Sequence, residues 1–265
     1  MVTQSVGLPQ LVLRELTVTF QRRRGGTVAA VESLDLTVRE KEFVCIVGPS
    51  GCGKSTMLRV VAGLVRPSTG EVILNGRSVV EPGADRGMVF QSYTLFPWLT
   101  VQGNVEFGPR LRDVPDAERA AAARRYIDLV GLRGFEQSYP KELSGGMMQR
   151  AAIARSLAND PEILLMDEPF GALDAQTRAL MQELLLNVWQ QTRKTVLFVT
   201  HDIEESILLG DRVYIMTARP GRIKEEVAIS LPRPRTVEVV DSEAFIRLRR
   251  YIHKSIREES LKVLA

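Results

Sequence analysis

Apolar residues in this chain follow two rhythms. Short continuous or alternating runs predict strands at residues 11–20 and 31–38, at Phe43-Val44-Cys45-Ile46-Val47, and at 163–166, 195–200, 213–216 and 223–229. Apolar positions three and four apart predict helices over 57–64, 117–130, 144–157, 174–193, 202–209 and about 241–259. Turn signals separate these stretches. Asn75-Gly76 joins short strands at 71–74 and 79–80, Asp116 is placed to cap a helix that Gly131 stops, and Arg219-Pro220-Gly221 joins the last two strands. From residue 163 onward strand alternates with helix, which favours a covered, largely parallel sheet. The amino-terminal third carries more strand than such a core needs, and 96–158 reads as a mainly helical insertion.

Composition narrows the class only modestly. The 265 residues are 45% hydrophobic and 25% charged, an ordinary globular balance with room for a sizeable core. Against 32 acidic side chains stand 35 basic ones, a net charge of +3 that is too small to argue for nucleic acid. Met1 to Gln10 holds no basic region followed by an apolar one, and the uncharged stretch 87–105 is too rich in Gln, Ser, Thr, Asn, Gly and Pro to span lipid. A soluble or peripheral cytoplasmic location is expected. Cys45 and Cys52 have no companion ligands, so free thiols are expected rather than a disulfide or a metal site. The basic turn Gln21-Arg22-Arg23-Arg24-Gly25-Gly26 reads as a solvated hairpin, with nucleotide or acidic lipid contact as the alternative. Phe245, Leu248, Ile252 and Ile256 form an apolar stripe on the tail helix, which packs on its own domain or meets a partner or membrane surface. His253 stands alone there and reads as a surface or partly packed side chain rather than a ligand.

Candidate chemistry begins at Gly48-Pro49-Ser50-Gly51-Cys52-Gly53-Lys54-Ser55-Thr56, between a predicted strand and a predicted helix. That is the context of a Walker A motif, whose glycines let backbone N–H groups turn toward phosphate oxygens beside the positive end of a helix. Lys54 is then placed to reach the β- and γ-phosphates, and the Ser55 hydroxyl to ligate Mg²⁺. Asp167 and Glu168 close the apolar strand at 163–166. Asp167 suits Mg²⁺ through its water shell, and Glu168 suits polarising an attacking water.

Taken in order, these motifs resemble an ABC transporter ATPase over about residues 11–230. The resemblance rests on Walker A at 48–55, a Q-loop at Gln91, the signature Leu143-Ser144-Gly145-Gly146-Met147-Met148-Gln149-Arg150, Walker B at 163–167, a D-loop at Ala172-Leu173-Asp174 and a switch His201. It implies an α/β fold: a phosphate-loop ABC ATPase core with an antiparallel β-subdomain and a helical subdomain inserted at about 96–158. The ATPase domain would span 1–240, with a helical tail at 241–265.

The resemblance also distributes roles. Residues 48–56 of one chain would grip ATP and Mg²⁺, while Ser144, Gly145 and Gly146 of a second chain close over the γ-phosphate. Ser55, Gln91 and Asp167 would serve the metal, and His201 would contact the γ-phosphate and steady Glu168. Ser144, Gly146 and Asp174 would lie at the dimer interface. Phe20 would stack on adenine, although the family usually has tyrosine there and a core phenylalanine is the alternative. Met148 occupies a place that is often polar or basic in the family signature, and Pro109 interrupts the region after Phe107-Gly108; neither removes a catalytic group.

Leu95-Phe96-Pro97-Trp98-Leu99-Thr100-Val101, with Asn104-Val105-Glu106-Phe107-Gly108, resembles the nitrate, sulfonate, taurine and bicarbonate importer branch. Phe96, Pro97 and Trp98 would then face a permease coupling helix, or else fill the helical subdomain. The implied assembly has a second ATPase subunit, two separate transmembrane permease subunits and an extracytoplasmic binding protein reached through the permease. No nucleic acid is expected, and the chain would lie at the cytoplasmic face of the inner or plasma membrane. The rival readings are a soluble ABC ATPase working as a clamp in DNA maintenance or translation, and a catalytically silent scaffold.

Overall fold

The first two apolar runs form β1 (Pro9–Gln21) and β2 (Thr27–Arg39), and the buried pentapeptide after them forms β3 (Phe43–Val47). The computed structural model describes residues 9–22 and 25–264. It continues through α1 (Lys54–Val61), β4 (Thr69–Leu74), β5 (Arg77–Ser78), β6 (Arg86–Val89), α2 (Val101–Leu111), α3 (Asp116–Leu129) and α4 (Gly145–Ala158). Next come β7 (Ile163–Asp167), α5 (Ala175–Thr192), β8 (Thr195–Val199), α6 (Ile203–Leu209), β9 (Arg212–Met216), β10 (Ile223–Ala228) and α7 (Glu243–Leu264). Arg23 and Arg24 of the basic turn, and residues 1–8 of the segment read for a leader, lie outside the described residues. Contacts group the chain into two units: residues up to 83 with 195–232 and 238 onward, and residues 84–194 with 233–237.

The first unit holds an antiparallel sheet in the order β2, β1, β4, β5. Beside it β3 pairs in parallel with both β8 and β9, while β10 runs antiparallel to β9. Every residue of β3, β8 and β9 is buried, as expected of strands covered on both faces. Phe43 and Phe198 meet with ring centroids 5.7 Å apart, each burial being worth roughly 1.5–3 kcal/mol. The tail helix α7 packs against α6 and β9 of this unit. Its stripe is graded, with Phe245 and Ile252 fully buried and Leu248 and Ile256 half-buried.

A buried ion pair staples the floor of this unit. Arg212 on β9 donates from Nε and Nη2 to the two carboxylate oxygens of Glu42, at 2.5 and 2.7 Å. It also donates to the Thr37 carbonyl at 2.8 Å and pairs with Glu226 on β10 at 3.0 Å. Burial alone would push Arg212 toward its neutral form, yet hydrogen bonds to Glu42 and Glu226 outweigh it and hold the guanidinium charged. Glu226 feels the converse: burial raises it, but Arg212 and Tyr214 bring it below its ordinary value.

In the second unit β6 and β7 pair in parallel, with Arg86 opposite Ile163 and Val89 opposite Met166. Helices α2, α3 and α4 pack on one another. Trp189 of α5 is stacked by two guanidinium groups, Arg193 at 4.8 Å and Arg233 at 4.1 Å from the ring centroid. The strap 233–237 is thereby fastened to this unit.

Three local expectations are corrected. Asp116 does not cap α3; Pro115 takes the cap position, and Asp116 begins the helix and pairs with Arg119 at 2.9 Å. The strand after Asn75-Gly76 is Arg77–Ser78, closer to the turn than 79–80, because a tight hairpin pairs its nearest residues. Pro109 does not break the segment: it lies within α2 two residues before the helix ends at Leu111, so the i→i−4 bond it forgoes falls in the last turn and no further turn has to be propagated past it.

Arg212→Ala is expected to lower the urea unfolding free energy by about 3–5 kcal/mol, because it strands Glu42 in the interior. The Glu226 contribution is complete above the ordinary carboxylate value of 4.5 and is lost as pH falls through the lowered folded value. Glu226→Gln should therefore flatten the loss of melting temperature below about pH 4.5.

Candidate nucleotide site

The glycine loop folds as a cradle. Helix α1 begins at Lys54, three residues before the predicted start, because Gly53 adopts φ 105° and turns the chain into the helix. No side chain but glycine could sit there, since a Cβ on Gly53 would lie 2.5 Å from the Ala30 carbonyl oxygen. The α1 start carries neither a capping side chain nor an acidic residue in its first turn. By contrast Thr100, Ser144, Asp174 and Asp202 cap α2, α4, α5 and α6 with their own oxygens. A start without an oxygen of its own suits an anion supplied from outside.

Lys54 is nearly buried, and its ammonium donates to the carbonyls of Gly48 at 2.9 Å and Pro49 at 3.2 Å. The cation is thus arched back over the loop that precedes it. Ser55 and Thr56 follow in the first turn of α1. Also in this unit, exposed His201 occupies the short turn from β8 to α6. Asp202 fixes that turn, donating its N–H to Thr200 Oγ1 at 3.0 Å and accepting from the Glu205 N–H at 3.1 Å. Phe20 lies near the end of β1, 46% exposed and paired with Val28; a core role is therefore excluded.

The second unit holds the remaining predicted groups. Asp167 ends β7 and is buried, while Glu168 follows it half-buried with φ 43°, a left-handed conformation that costs a residue with a side chain about 1–3 kcal/mol. The Gln91 amide stands beside Gly171, since a Cβ there would lie 3.5 Å from Gln91 Nε2. Ser144 caps α4 by accepting from the Met147 N–H at 3.3 Å. A Cβ on Gly146 would stand 2.9 Å from the Thr177 methyl group, so the signature helix fits closely against the start of α5. There Asp174 accepts from the Thr177 N–H at 3.0 Å, and Thr177 hydrogen bonds hold its carboxyl below the usual range.

The aromatic segment divides between two environments. Phe96 packs on Phe107 at 4.4 Å and under the Arg155 guanidinium at 5.5 Å, whereas Pro97 is exposed and Trp98 is 68% exposed. Fully buried Asn104, which the motif reading quotes without giving it a role, organises the loop. Its carboxamide accepts from the Phe96 N–H at 2.7 Å and donates to the carbonyls of Phe96, Leu99 and Thr100 at 3.0–3.2 Å. Asn104 stands in the first turn of α2 and reaches back over the helix start.

These geometries define a phosphate-loop nucleotide-binding protein. Residues 31–171 match the family model for ABC transporters, and the chain belongs to that family. It is 53% identical over 255 residues to an uncharacterized ABC transporter ATP-binding protein of Methanocaldococcus jannaschii, covering 96% of this chain and 94% of that one. It is 51% identical over 222 residues to the nitrate import ATP-binding protein NrtD of Synechocystis, covering 84% and 83%. A dimeric ATP-binding cassette solved in a post-hydrolysis state with ADP and Pi superposes with a TM-score of 0.72 at 34% identity, covering 84% of this chain and all of that one. The fold is that of an ABC ATPase, and the activity is ATP hydrolysis coupled to transport.

Trp98→Ala should change stability by less than about 0.5 kcal/mol, since an exposed ring contributes little to the fold. Asn104→Ala should cost about 1–3 kcal/mol by leaving the Phe96 N–H without its acceptor and taking the side-chain donor from the Leu99 carbonyl. Thermal unfolding of both variants checks the contrast.

Proposed function

We propose that this chain is the ATP-hydrolysing subunit of an importer for a small anion of the nitrate, sulfonate, taurine or bicarbonate kind. The observation that carries the reading is the α1 start without a side-chain cap, with Lys54 arched over the glycine loop. The kinship with a nitrate import ATP-binding protein supports the anion branch. Among the described residues no helix is long and apolar enough to cross a membrane, so transport calls for separate permease subunits. A second ATPase subunit and, through the permease, an extracytoplasmic binding protein complete the proposed assembly at the cytoplasmic membrane face.

The residues present fit ATP and Mg²⁺. Among the described residues no three His, Cys, Asp or Glu side chains form a metal cluster. As the motif resemblance implies, the Ser55 hydroxyl, the Asp167 carboxylate and the Gln91 amide would serve the metal together with the nucleotide itself. Bound Mg²⁺ would neutralise phosphate charge. Lys54 turns from its loop carbonyls to the β- and γ-phosphates, so one ammonium serves both states of the loop. Glu168 orients and polarises the attacking water, and His201 steadies the γ-phosphate. From the second chain, Ser144, Gly145 and Gly146 close over that phosphate with the start of α4, while Asp174 lies at the same interface. Phe20 offers its exposed ring to adenine, and Pro97 and Trp98 face the permease beside the anchored Phe96.

Glu168→Gln should leave ATP binding intact, lower turnover by about 10²–10⁴-fold and accumulate an ATP-bound dimer, measured by steady-state hydrolysis and light scattering. Undiminished turnover would reject Glu168 as the base. In mixed dimers, Ser144→Arg and Lys54→Ala placed in one chain should damage both composite sites, one defect in each, whereas placing them in different chains puts both defects in one site and leaves the other whole. The two arrangements should therefore differ in residual activity. Reconstitution with the permease and binding protein should give ATP-dependent uptake of one of the four anion classes; uptake of none would sink the branch assignment.

A further inference from the structure

The turn between β9 and β10 presses on the phosphate loop. A Cβ on Gly221 would stand only 2.0 Å from the Cys52 carbonyl oxygen, so the two backbones meet more closely than any side chain permits. Two residues earlier, Arg219 lays its guanidinium on the same loop. Its Nε and Nη2 donate to the Gly51 carbonyl at 3.1 and 2.9 Å. Gly51 is itself left-handed, with φ 73°, so the clamp falls on a residue whose conformation shapes the loop.

The clamp is in turn held from two sides. The Gly221 N–H donates to the Ala30 carbonyl, and the Gly221 carbonyl accepts from the Glu32 N–H, both at 3.0 Å. On the other side the Ala218 N–H donates to the Glu259 carboxylate of α7 at 3.2 Å. Glu259 is buried although charged, and it pairs with Lys262 at 2.6 Å and Lys224 at 3.4 Å. Further bonds fasten the helix to β10: Lys224 donates to the Ser255 carbonyl at 3.0 Å, and Glu225 accepts from the Tyr251 and Ser255 hydroxyls. An apolar stripe alone would seat α7. The buried carboxylate aimed at Ala218 adds a specific hold on the turn that carries Arg219.

We propose that Arg219 is a positioning residue of the phosphate loop, and that α7, through Glu259, holds the turn that presents it, so that the carboxy-terminal helix sets the affinity for ATP. The proposal rests on the reading of residues 48–56 as the phosphate cradle. Phosphate binding needs the loop's N–H groups turned to the ligand, and this is easiest when the loop's carbonyls are already engaged. Lys54 engages those of Gly48 and Pro49 only until it turns to the phosphates, whereas Arg219 engages that of Gly51 with a group that takes no part in binding ATP. Losing Arg219 frees Gly51 to sample other conformations, and the free loop must be reordered each time ATP binds.

The test uses the full-length purified subunit with MgATP and, for equilibrium binding, trinitrophenyl-ATP. Arg219→Ala should raise both Kd and KM about tenfold, with kcat within about twofold and the melting temperature unchanged, because the guanidinium is exposed. Arg219→Lys, which keeps one donor and the charge, should recover part of the loss. Glu259→Asp keeps the charge facing Lys224 and Lys262 but shortens the reach to Ala218; it should raise Kd about threefold and speed amide exchange in residues 49–53 without speeding it in α1. Lys54→Ala is the control for the cradle itself. If Lys54→Ala abolishes binding while Arg219→Ala leaves Kd within twofold, the proposal is overturned and the cradle stands. If Lys54→Ala binds normally, the cradle reading fails first. A Glu259→Asp variant, folded by circular dichroism, with unaltered Kd and exchange overturns the part assigned to α7.

Discussion

A loop that must present its N–H groups to phosphate can spare few of them to hold itself together; here the Cys52 N–H, donating to the Pro49 carbonyl at 3.3 Å, is one it spends. This constraint accounts for much of the first unit. The loop is stabilised through its other polarity, its carbonyls, which accept from Lys54 at one end and from Arg219 in the middle. Its turns are enforced by neighbours that leave no room for a side chain, Ala30 against Gly53 and Cys52 against Gly221. The buried pentapeptide β3 and its parallel neighbours give this arrangement a fixed floor. Their burial is what allows a short glycine-rich stretch to keep one shape.

Much of this was legible in the sequence, and for identifiable reasons. The runs at β3, β7, β8 and β9 are apolar without interruption because both faces of each strand are covered, and such runs need no long-range knowledge to read. Ser144, Asp174 and Asp202 were placed at helix starts, and each caps the next helix, since a cap acts within three residues. Helix α2 was harder: Gly103, Gly108 and Pro109 obscure its period, and Asn104 supplies its anchoring by reaching back to Phe96. Arg219 and Glu259 carry no local signal. Their partners Gly51 and Ala218 stand 168 and 41 residues away, so only the fold reveals the pairing.

Within the aromatic segment, energetic and functional weight fall on different residues. Asn104 and Phe96 spend their interactions inside the protein, and the exposed Trp98 ring is thereby carried on a loop of defined shape. A large apolar side chain kept at the surface on a fixed support is an economical way to offer a contact. The same separation marks the signature helix, where the exposed Ser144 caps and the buried Gly146 packs.

The stacking of Arg233 on Trp189 bears on how the gene can be altered. The chain crosses from one unit to the other four times, after residues 83, 194, 232 and 237, so neither unit is a contiguous stretch of coding sequence. A stop codon introduced after Pro232 would strip Arg233 from the second unit and remove Phe245 and Ile252 from the first in one event. Such a truncation is two lesions under one name. Nor can either unit be exchanged with a relative's by a single splice; a chimera must be rejoined at each crossing.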